Sequence, residues 1–225
     1  MKLLAIDTAT EQCSVALLQD NECIDRYVPT PRGHTELVLP MIHELLSESG
    51  VTLKQLDAIA FGRGPGAFTG VRIAIGVAQG LGFALGIPLI PISNLAAVAQ
   101  QAVDRLSVDE QVVVCMDARM SEIYCGFFAK GAEGLVLPIA PEQVLAPEKL
   151  VFGAAQPKIG LGTGFRAYPV LGDYCKTLQI DNGALPRARE IIQLAVHDYV
   201  AGRGVVADQA APVYLRDQVV HVKAS

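Results

Sequence analysis

The chain has 225 residues, which is enough for one large domain or two small lobes. Apolar residues make up 51% of it without counting glycine and charged residues only 18%, so we expect both a dry core and apolar surface covered by another chain. The net charge is −5 and the Lys and Arg residues are scattered, which argues against a protein that binds nucleic acid on its own.

The cysteines and the N-terminal segment indicate the compartment. Five cysteines occur without a Cys-x-x-Cys pair, and Cys13, Cys115 and Cys125 lie in apolar strand-like runs, where a free cysteine behaves as a small hydrophobe. This usage is typical of a reducing compartment. The apolar run 3–6 before Asp7 is too short for a signal peptide, so we expect a cytoplasmic protein.

The first half of the chain predicts the element order β-β-β-α-β-α-β-α. Pro29, Pro31 and Gly33 separate the third strand from the first helix, which is expected to end at Gly50. Strands are expected at 2–7, 13–18, 22–28, 57–61 and 89–92, and helices at 35–49, 69–85 and 94–103.

The second half begins in the same way as the first. Ala5-Ile6-Asp7 recurs as Cys115-Met116-Asp117 about half a chain later, which favours a weak internal duplication. Strands are expected at 111–116, 122–128, 135–139 and 158–162, and helix-like stretches at 147–152 and 187–200.

A duplicated unit of three antiparallel strands followed by crossover helices is the plan of the actin-like ATPase and sugar-kinase superfamily. We therefore predict an α/β protein with a two-lobed, actin-like (ribonuclease H-like) fold built from duplicated β-β-β-α-β-α units. The first lobe is expected at 1–104, joined by 212–225, and the second at 105–211. A fold of this kind does not settle function by itself.

The glycine-rich loop at 62–72 lies between a predicted strand and a predicted helix. Such a loop can present backbone N–H groups to an anion, so Gly64, Gly66, Thr69 and Arg72 are candidate anion or nucleotide contacts. A dinucleotide site would need an acidic residue about 20 positions on, and a P-loop would need a lysine; neither occurs. A tight turn with close helix packing is the interpretation we favour.

Two predicted helices carry more apolar residues than one buried face requires. The helix at 69–85 is apolar all round, yet its four glycines, Gly86 directly after it, and Arg72 make it a poor membrane span. A deeply buried helix pair and a helical partner interface both explain the excess. The candidate interface residues are Leu37, Val38, Met41, Ile42, Leu45, Ile73, Val77 and Leu81.

Residues that could carry catalysis are few. His34 and His43 lack the spacing of a zinc-binding pair, and His197 and His221 stand alone. Asp7 lies in a turn without the glycine that would let a phosphate approach, so capping of that turn is the simpler role. We predict no catalytic residue and no metal site.

Several segments together resemble the TsaB (also YeaZ) family. They are Leu4–Thr10, Cys13–Leu17, His34-Thr35-Glu36 with Leu39-Pro40, Gly64–Ile73, Asp117-Ala118-Arg119 with Glu122-Ile123-Tyr124, and Pro212–Arg216. The match spans nearly the whole chain in the right order. Ala67 and Gln79 depart from the residues common in the family, which weakens any specific nucleotide contact.

The resemblance implies a role in making threonylcarbamoyladenosine in tRNA. It implies a non-catalytic subunit that binds the catalytic paralogue TsaD through a bundle of the first two helices, with a TsaE-like ATPase joining the pair. It also implies no tightly bound cofactor, tRNA contact only through the complex, and no membrane. The sequence leaves open whether ATP or ADP lies at the subunit interface and whether the isolated chain forms a homodimer through the same helices. The alternatives are a free-standing small-molecule kinase or ATPase, and a metalloprotease.

Overall fold

Two mixed sheets, one from each half of the chain, form the framework of the computed structural model, which describes residues 1–153, 155–174 and 178–216. The strands of the first sheet are β1 (Lys2–Asp7), β2 (Gln12–Gln19), β3 (Glu22–Pro29), β4 (Ala58–Gly62) and β5 (Leu89–Ile92). They lie in the order β3-β2-β1-β4-β5. The first three are antiparallel, whereas β4 and β5 run parallel to β1.

The second sheet repeats this plan. Its strands are β6 (Gln111–Asp117), β7 (Ile123–Lys130), β8 (Val136–Pro138), β9 (Gln143–Leu145), β10 (Ile159–Leu161) and β11 (Gln179–Asp181). They lie in the order β11-β10-β6-β7-β8, with β9 also paired to β7. Because β6, β7, β8, β10 and β11 occupy the places of β1 to β5, the predicted duplication and two-lobed actin-like fold are confirmed.

The helices cover both faces of the first sheet and part of the second. They are α1 (His34–Glu48), α2 (Phe68–Leu85), α3 (Asn94–Gln100), α4 (Gly164–Ala167), α5 (Val170–Asp173) and α6 (Ala188–Val200). Single 3-10 turns occupy Leu53–Gln55, Val103–Arg105, Pro147–Lys149 and Ala207–Gln209. The stretch expected to be helix-like at 147–152 is therefore one short turn.

Strand β1 shows why the first sheet needs two covering layers. Leu4 and Ile6 join the core formed with α1 and α2, whereas Leu3 and Ala5 join the core formed with α6. Alternate side chains of a strand point to opposite faces, so a strand that is apolar throughout must be buried on both. All four side chains are fully buried.

The helices are not divided at residue 104, where the sequence analysis placed the lobe boundary. Helix α3, from the first half, packs on β6, β7 and β8 of the second sheet, and α6, from the second half, packs on the first sheet. Each of these helices has an apolar face that is buried by the sheet of the other half of the chain. This exchange differs from the predicted 1–104 and 105–211 division.

The C-terminal segment 210–216 contacts both lobes, although it was expected to join the first. The Val213 N–H donates to the carbonyl of Arg63 (2.8 Å) in the first lobe. Leu215 packs against the core of the second sheet, and Arg216 donates to the carbonyl of Ala118 (3.1 Å). The rest of the predicted 212–225 stretch, from residue 217, lies outside the described residues.

Helix α2 is long and apolar enough to cross a membrane, judged by length and composition alone. Its place in the fold argues against that role. It connects β4 to β5, which are parallel neighbours in one sheet, so it must run back along the face of that sheet. Val71, Ala74 and Ala78 accordingly pack into the core.

Candidate functional site

The outer side of α2 is an apolar surface that no part of the described chain covers. Val71, Ala74, Ile75, Ala78 and Gly82 form the buried stripe. The opposite side carries Ile73, Gly76, Val77, Gly80 and Phe83, and the Phe83 side chain is 84% exposed. No atom lies within 4 Å of a Cβ built on Gly76 or Gly80, so the helix backbone is accessible there.

Helix α1 extends this surface. Leu39 is 52% exposed and lies on the flank of α1 that borders α2, whereas Leu37 is half-buried on the other flank, about 200° around the helix. Between the two helices is a depression of about 590 Å³, mostly apolar. Its lining includes Leu39, Ile42, Leu46, Val51, Leu53 and Leu81, with His43 and Lys54 also present. We call the exposed parts of Leu39, Ile73, Gly76, Val77, Gly80, Leu81 and Phe83, together with this depression, the α1–α2 face.

Half of the predicted interface residues lie elsewhere. Ile73, Val77 and Leu81 are on the α1–α2 face, and Ile42, although nearly buried, lines its depression. Leu37 lies on the other flank of α1, and Val38, Met41 and Leu45 are buried in the core of their own lobe. The correction has a simple cause. Helix α1 lies across β2, and most of the wide apolar arc that suggested a second interface is buried against the sheet and α2.

Leu39 and Phe83 are the interface candidates that the sequence analysis missed. No local signal singles them out, because small residues recur at four-residue spacing on both sides of α2. Ala74, Ala78 and Gly82 lie on the buried side, and Gly76 and Gly80 on the exposed side. Phe83 lies on the side of Gly76 and Gly80.

The glycine-rich loop packs against the turn that follows β1. A Cβ on Gly70 would lie 2.1 Å from the carbonyl oxygen of Thr8, and one on Gly66 would lie 2.6 Å from that of Ala9. The Gly64 N–H donates to Asn94 Oδ1 (2.7 Å) and so is taken up within the chain. Gly64 is therefore corrected as an anion contact, and the geometry supports the close-packing interpretation of the loop.

The other candidate anion contacts of this loop are placed differently. Thr69 is exposed at the start of α2 and lines the cleft between the lobes, as does Gly66. Arg72 lies over the Phe68 ring, with Cζ 3.7 Å from the ring centroid, and its Nε donates to the Tyr214 hydroxyl (2.8 Å). Arg72 thus fixes the C-terminal segment against α2.

The cleft between the lobes has a volume of about 1330 Å³. Helices α1 and α2 both begin at its wall, and neither start has a side-chain cap. Helix N-termini favour anions because their first N–H groups have no partner in the helix. Arg32, Arg119, Arg166 and Arg216 also line the cleft, facing the carboxylates of Glu11 and Asp117.

The cleft arginines differ in how they are paired. Arg119 lies 3.0 Å from Asp117 and 3.8 Å from Glu11, and Arg216 donates to Glu122 (3.0 Å). Arg32 and Arg166 form no ion pair with the residues that the structure describes. The cleft is therefore electropositive on balance and chemically suited to an anionic group.

Asp7 lies behind the cleft and joins three segments. It is fully buried, and its carboxylate accepts hydrogen bonds from the Ala9 N–H (3.2 Å) and the Asn94 side-chain amide. Asn94 also accepts from Gly64, so the end of β1, the glycine-rich loop and the start of α3 are linked. Burial raises the pKa of Asp7 to about 7, although both hydrogen bonds lower it.

Because of that shift, the free energy of unfolding should carry a specific pH dependence. The folded state holds the Asp7 proton more tightly than the unfolded state, whose pKa is 3.8, so stability falls as the pH rises from about 4 to about 7. The slope from this group approaches about 1.4 kcal/mol per pH unit. Asp7→Asn removes the titration, and denaturant unfolding at several pH values compares the two chains. Identical slopes in both would contradict the assignment.

Comparison with known proteins identifies the family. The chain is 40% identical to the tRNA threonylcarbamoyladenosine biosynthesis protein TsaB of Escherichia coli K12, over 99% of this chain and 98% of that protein. It is 42% identical to the protein of the same name in Haemophilus influenzae, over 99% and 97%. The chain belongs to the TsaB family.

Solved structures extend this assignment to TsaB-family architecture. A crystal structure from Pseudomonas aeruginosa, described as similar to peptidase YeaZ, superposes with a TM-score of 0.89 at 45% identity, covering 96% of this chain and 99% of that one. YeaZ from the same organism gives 0.86 at 44%, covering 95% and 100%. The family model of TsaD, tRNA N6-adenosine threonylcarbamoyltransferase, matches residues 28–171.

The predicted resemblance to the TsaB family is thus confirmed.

The side chains that metals prefer are dispersed in the described part of this TsaB-family chain. Among residues 1–153, 155–174 and 178–216, no three His, Cys, Asp or Glu side chains are grouped so that they could hold a metal ion. His34 is buried, with Nε2 2.9 Å from the carbonyl of Thr10, which is a structural contact.

Proposed function

We propose that this chain is the non-catalytic, cytoplasmic subunit of the assembly that adds the threonylcarbamoyl group to adenosine in tRNA. It pairs with a TsaD-like catalytic paralogue through the α1–α2 face. The observation that carries this proposal is the exposed apolar side of α2, centred on Gly76, Gly80 and Phe83, in a chain whose relatives are named for threonylcarbamoyladenosine biosynthesis.

The α1–α2 face has the chemistry of an interface core. Charged side chains are depleted at such cores and large apolar anchors enriched, and Phe83 and Leu39 supply two anchors. The absence of a Cβ at Gly76 and Gly80 lets a partner helix approach α2 more closely than the usual 8–10 Å between helix axes allows for large side chains. The apolar depression beside Leu81 can then receive a partner side chain.

The buried polar groups favour a structural role over a catalytic one. Asp7 is enclosed and bonded to Ala9 and Asn94, and Asp117 accepts from the Arg119 backbone N–H (2.9 Å) as well as from its guanidinium. Both aspartates therefore cap their turns, as expected from the sequence. A free-standing kinase or ATPase has the fold and the cleft in its favour, but the turns after Asp7 and Asp117 lack the glycine that would let a phosphate approach.

The cleft is the place where we propose that ATP or ADP binds once the partner is present. Two uncapped helix starts together with Arg32 and Arg166 suit a phosphate, whereas the wide opening explains why the isolated chain would hold no cofactor tightly. Titration of ADP into the isolated chain and into the complex tests this. Tight binding by the isolated chain would contradict it.

The remaining partners follow from the same arrangement. A TsaE-like ATPase joins the pair, and tRNA is contacted through the complex, since the chain has a net charge of −5. When isolated, the chain forms a homodimer through the α1–α2 face. Homodimer and heterodimer then compete for one surface.

Reconstitution tests the proposed function. Purified TsaD-like and TsaE-like proteins are mixed with tRNA and threonylcarbamoyl adenylate, with or without this chain, and threonylcarbamoyladenosine is quantified by mass spectrometry of the tRNA nucleosides. We expect product only when this chain is present with the paralogue, and none from this chain alone. Equal product without this chain, or product from this chain alone, would contradict the proposal.

A further inference from the structure

Two buried cysteines face each other in the middle of the second sheet. Strands β6 and β7 are antiparallel, and their register places Cys115 directly opposite Cys125. Both side chains are buried in one apolar cluster with Val113, Ile123 and Phe165, so they point to the same face of the sheet.

The spacing of this pair suits a disulfide bond. Directly opposed residues in antiparallel strands have Cα atoms about 4.5–5.5 Å apart, and disulfides span about 4.4–6.8 Å. Since Cys115 and Cys125 are directly opposed and buried on one face, the strand pairing itself supplies the separation that a disulfide needs.

The other described cysteines lack such a partner. Cys13 lies opposite Val28, and Cys23 lies opposite Leu18, in the first sheet. Cys175 lies outside the described residues. Within the described chain, the topology thus selects one pair, Cys115 and Cys125, for reaction with each other.

We propose that Cys115 and Cys125 form a reversible oxidation site, a dithiol that becomes a cross-strand disulfide. With glutathione disulfide as oxidant, one thiolate attacks a sulfur of the oxidant and releases one glutathione. The second thiolate then attacks the protein sulfur of the mixed disulfide and releases the other glutathione. Two thiols are oxidised, the oxidant is reduced to two thiols, and the two protons are carried by the glutathione molecules.

The environment makes this reaction slow under resting conditions. Burial, and secondarily the neighbouring Cys125 thiol, raises the pKa of the Cys115 thiol, so little thiolate is present at neutral pH. An oxidant can also reach the two thiols only after local opening of the β6–β7 hairpin. In a reducing compartment the pair stays a dithiol and responds only to sustained oxidation.

The disulfide would affect the wall of the cleft. Gly162 and Gly164, at the turn into α4, pack against the Cys115 carbonyl, since a Cβ on either would lie within 2.7 Å of that oxygen. Two residues further along, the Asp117 N–H donates to Thr163 Oγ1 (3.1 Å). Locking Cys115 to Cys125 therefore stiffens the segment that carries Asp117 and Arg119.

Peptide mapping tests the site directly. The full chain is treated with glutathione disulfide at pH 8, alkylated under denaturing conditions and digested with trypsin, which cuts at Arg119 between the two cysteines. We expect peptide 106–119 joined to peptide 120–130, the link being lost on reduction and absent in Cys125→Ala. The melting temperature of the oxidised wild type should rise by about 5 °C and return on reduction.

Two outcomes would overturn the proposal. One is full alkylation of Cys115 and Cys125 in wild-type chain after prolonged oxidation, with a native melting profile. The other is linkage of either cysteine mainly to Cys13, Cys23 or Cys175. Because the first readout uses the wild type, it holds even where Cys125→Ala folds poorly.

Discussion

Gly80→Glu is expected to weaken binding of the TsaD-like paralogue by about 100-fold or more while leaving the chain folded. A Cβ at Gly80 meets no atom within 4 Å, so the monomer accommodates the side chain, and glutamate favours a helix more than glycine does. In the complex, the carboxylate would be buried in an apolar contact without a partner, which costs about 3 kcal/mol or more. Isothermal titration calorimetry measures the affinity.

Val200→Glu is the matched control for that experiment. Val200 is also apolar and 76% exposed on a helix, but α6 lies on the opposite face of the first sheet. We expect wild-type affinity from Val200→Glu and a single cooperative melting transition from both variants, which shows that each chain is folded. Unchanged affinity in Gly80→Glu, or equal losses in the two variants, would place the interface elsewhere.

Gly70→Ala is expected to lower the free energy of unfolding by about 3 kcal/mol, because the new methyl group has no room. Its Cβ would lie 2.1 Å from the Thr8 carbonyl oxygen. That oxygen belongs to the backbone, so it cannot move away without distorting the turn after β1. The Thr8 hydroxyl also donates to the Gly70 carbonyl (2.6 Å), so separating the two segments breaks that bond. Urea denaturation measures the change.

The control for Gly70→Ala lies on the same helix. Gly80→Ala adds the same methyl group at an open position, and the higher helix propensity of alanine should raise stability by about 1 kcal/mol at most. Opposite signs for the two variants are therefore expected. Similar changes in both would mean that the loop does not pack against the turn as described.

The order of elements along the first half of the chain could be predicted because its signals are local and strong. The run from Leu3 to Ile6 is apolar at every position, and the repeat of Asp7 as Asp117 revealed the duplication. Four short elements escaped prediction for the opposite reason. Helices α4 and α5 have four residues each and β9 and β11 three, which is too few for a hydrophobic period to appear. The equally short β8 and β10 fell within the longer stretches expected at 135–139 and 158–162.

The candidate site was only partly predictable. A wide apolar arc on a helix does not reveal which part of it faces the sheet, and this ambiguity put Val38 and Ile42 in the interface although both are core residues. Charged substitutions at these two positions would unfold the lobe instead of testing the partner surface. The exposed positions, Leu39 and Phe83, become evident only when the crossover from β4 to β5 fixes the orientation of α2.

Asn94 and the exchange of α3 and α6 between the lobes depend on long-range packing. Asn94 follows β5 in sequence, yet it bonds to Asp7, 87 positions earlier, and to Gly64. No local pattern specifies such contacts. The ends of β1, β4 and β5 come together only when these strands pair side by side in the sheet.

The most direct test of the α1–α2 face is site-specific photo-crosslinking to the TsaD-like paralogue. A benzophenone amino acid replaces Phe83 in one variant and Val200 in another, and each variant is irradiated in the presence of the purified paralogue. We expect a covalent heterodimer from position 83 and none from position 200. Crosslinking from position 200 alone would contradict the assignment of the partner surface.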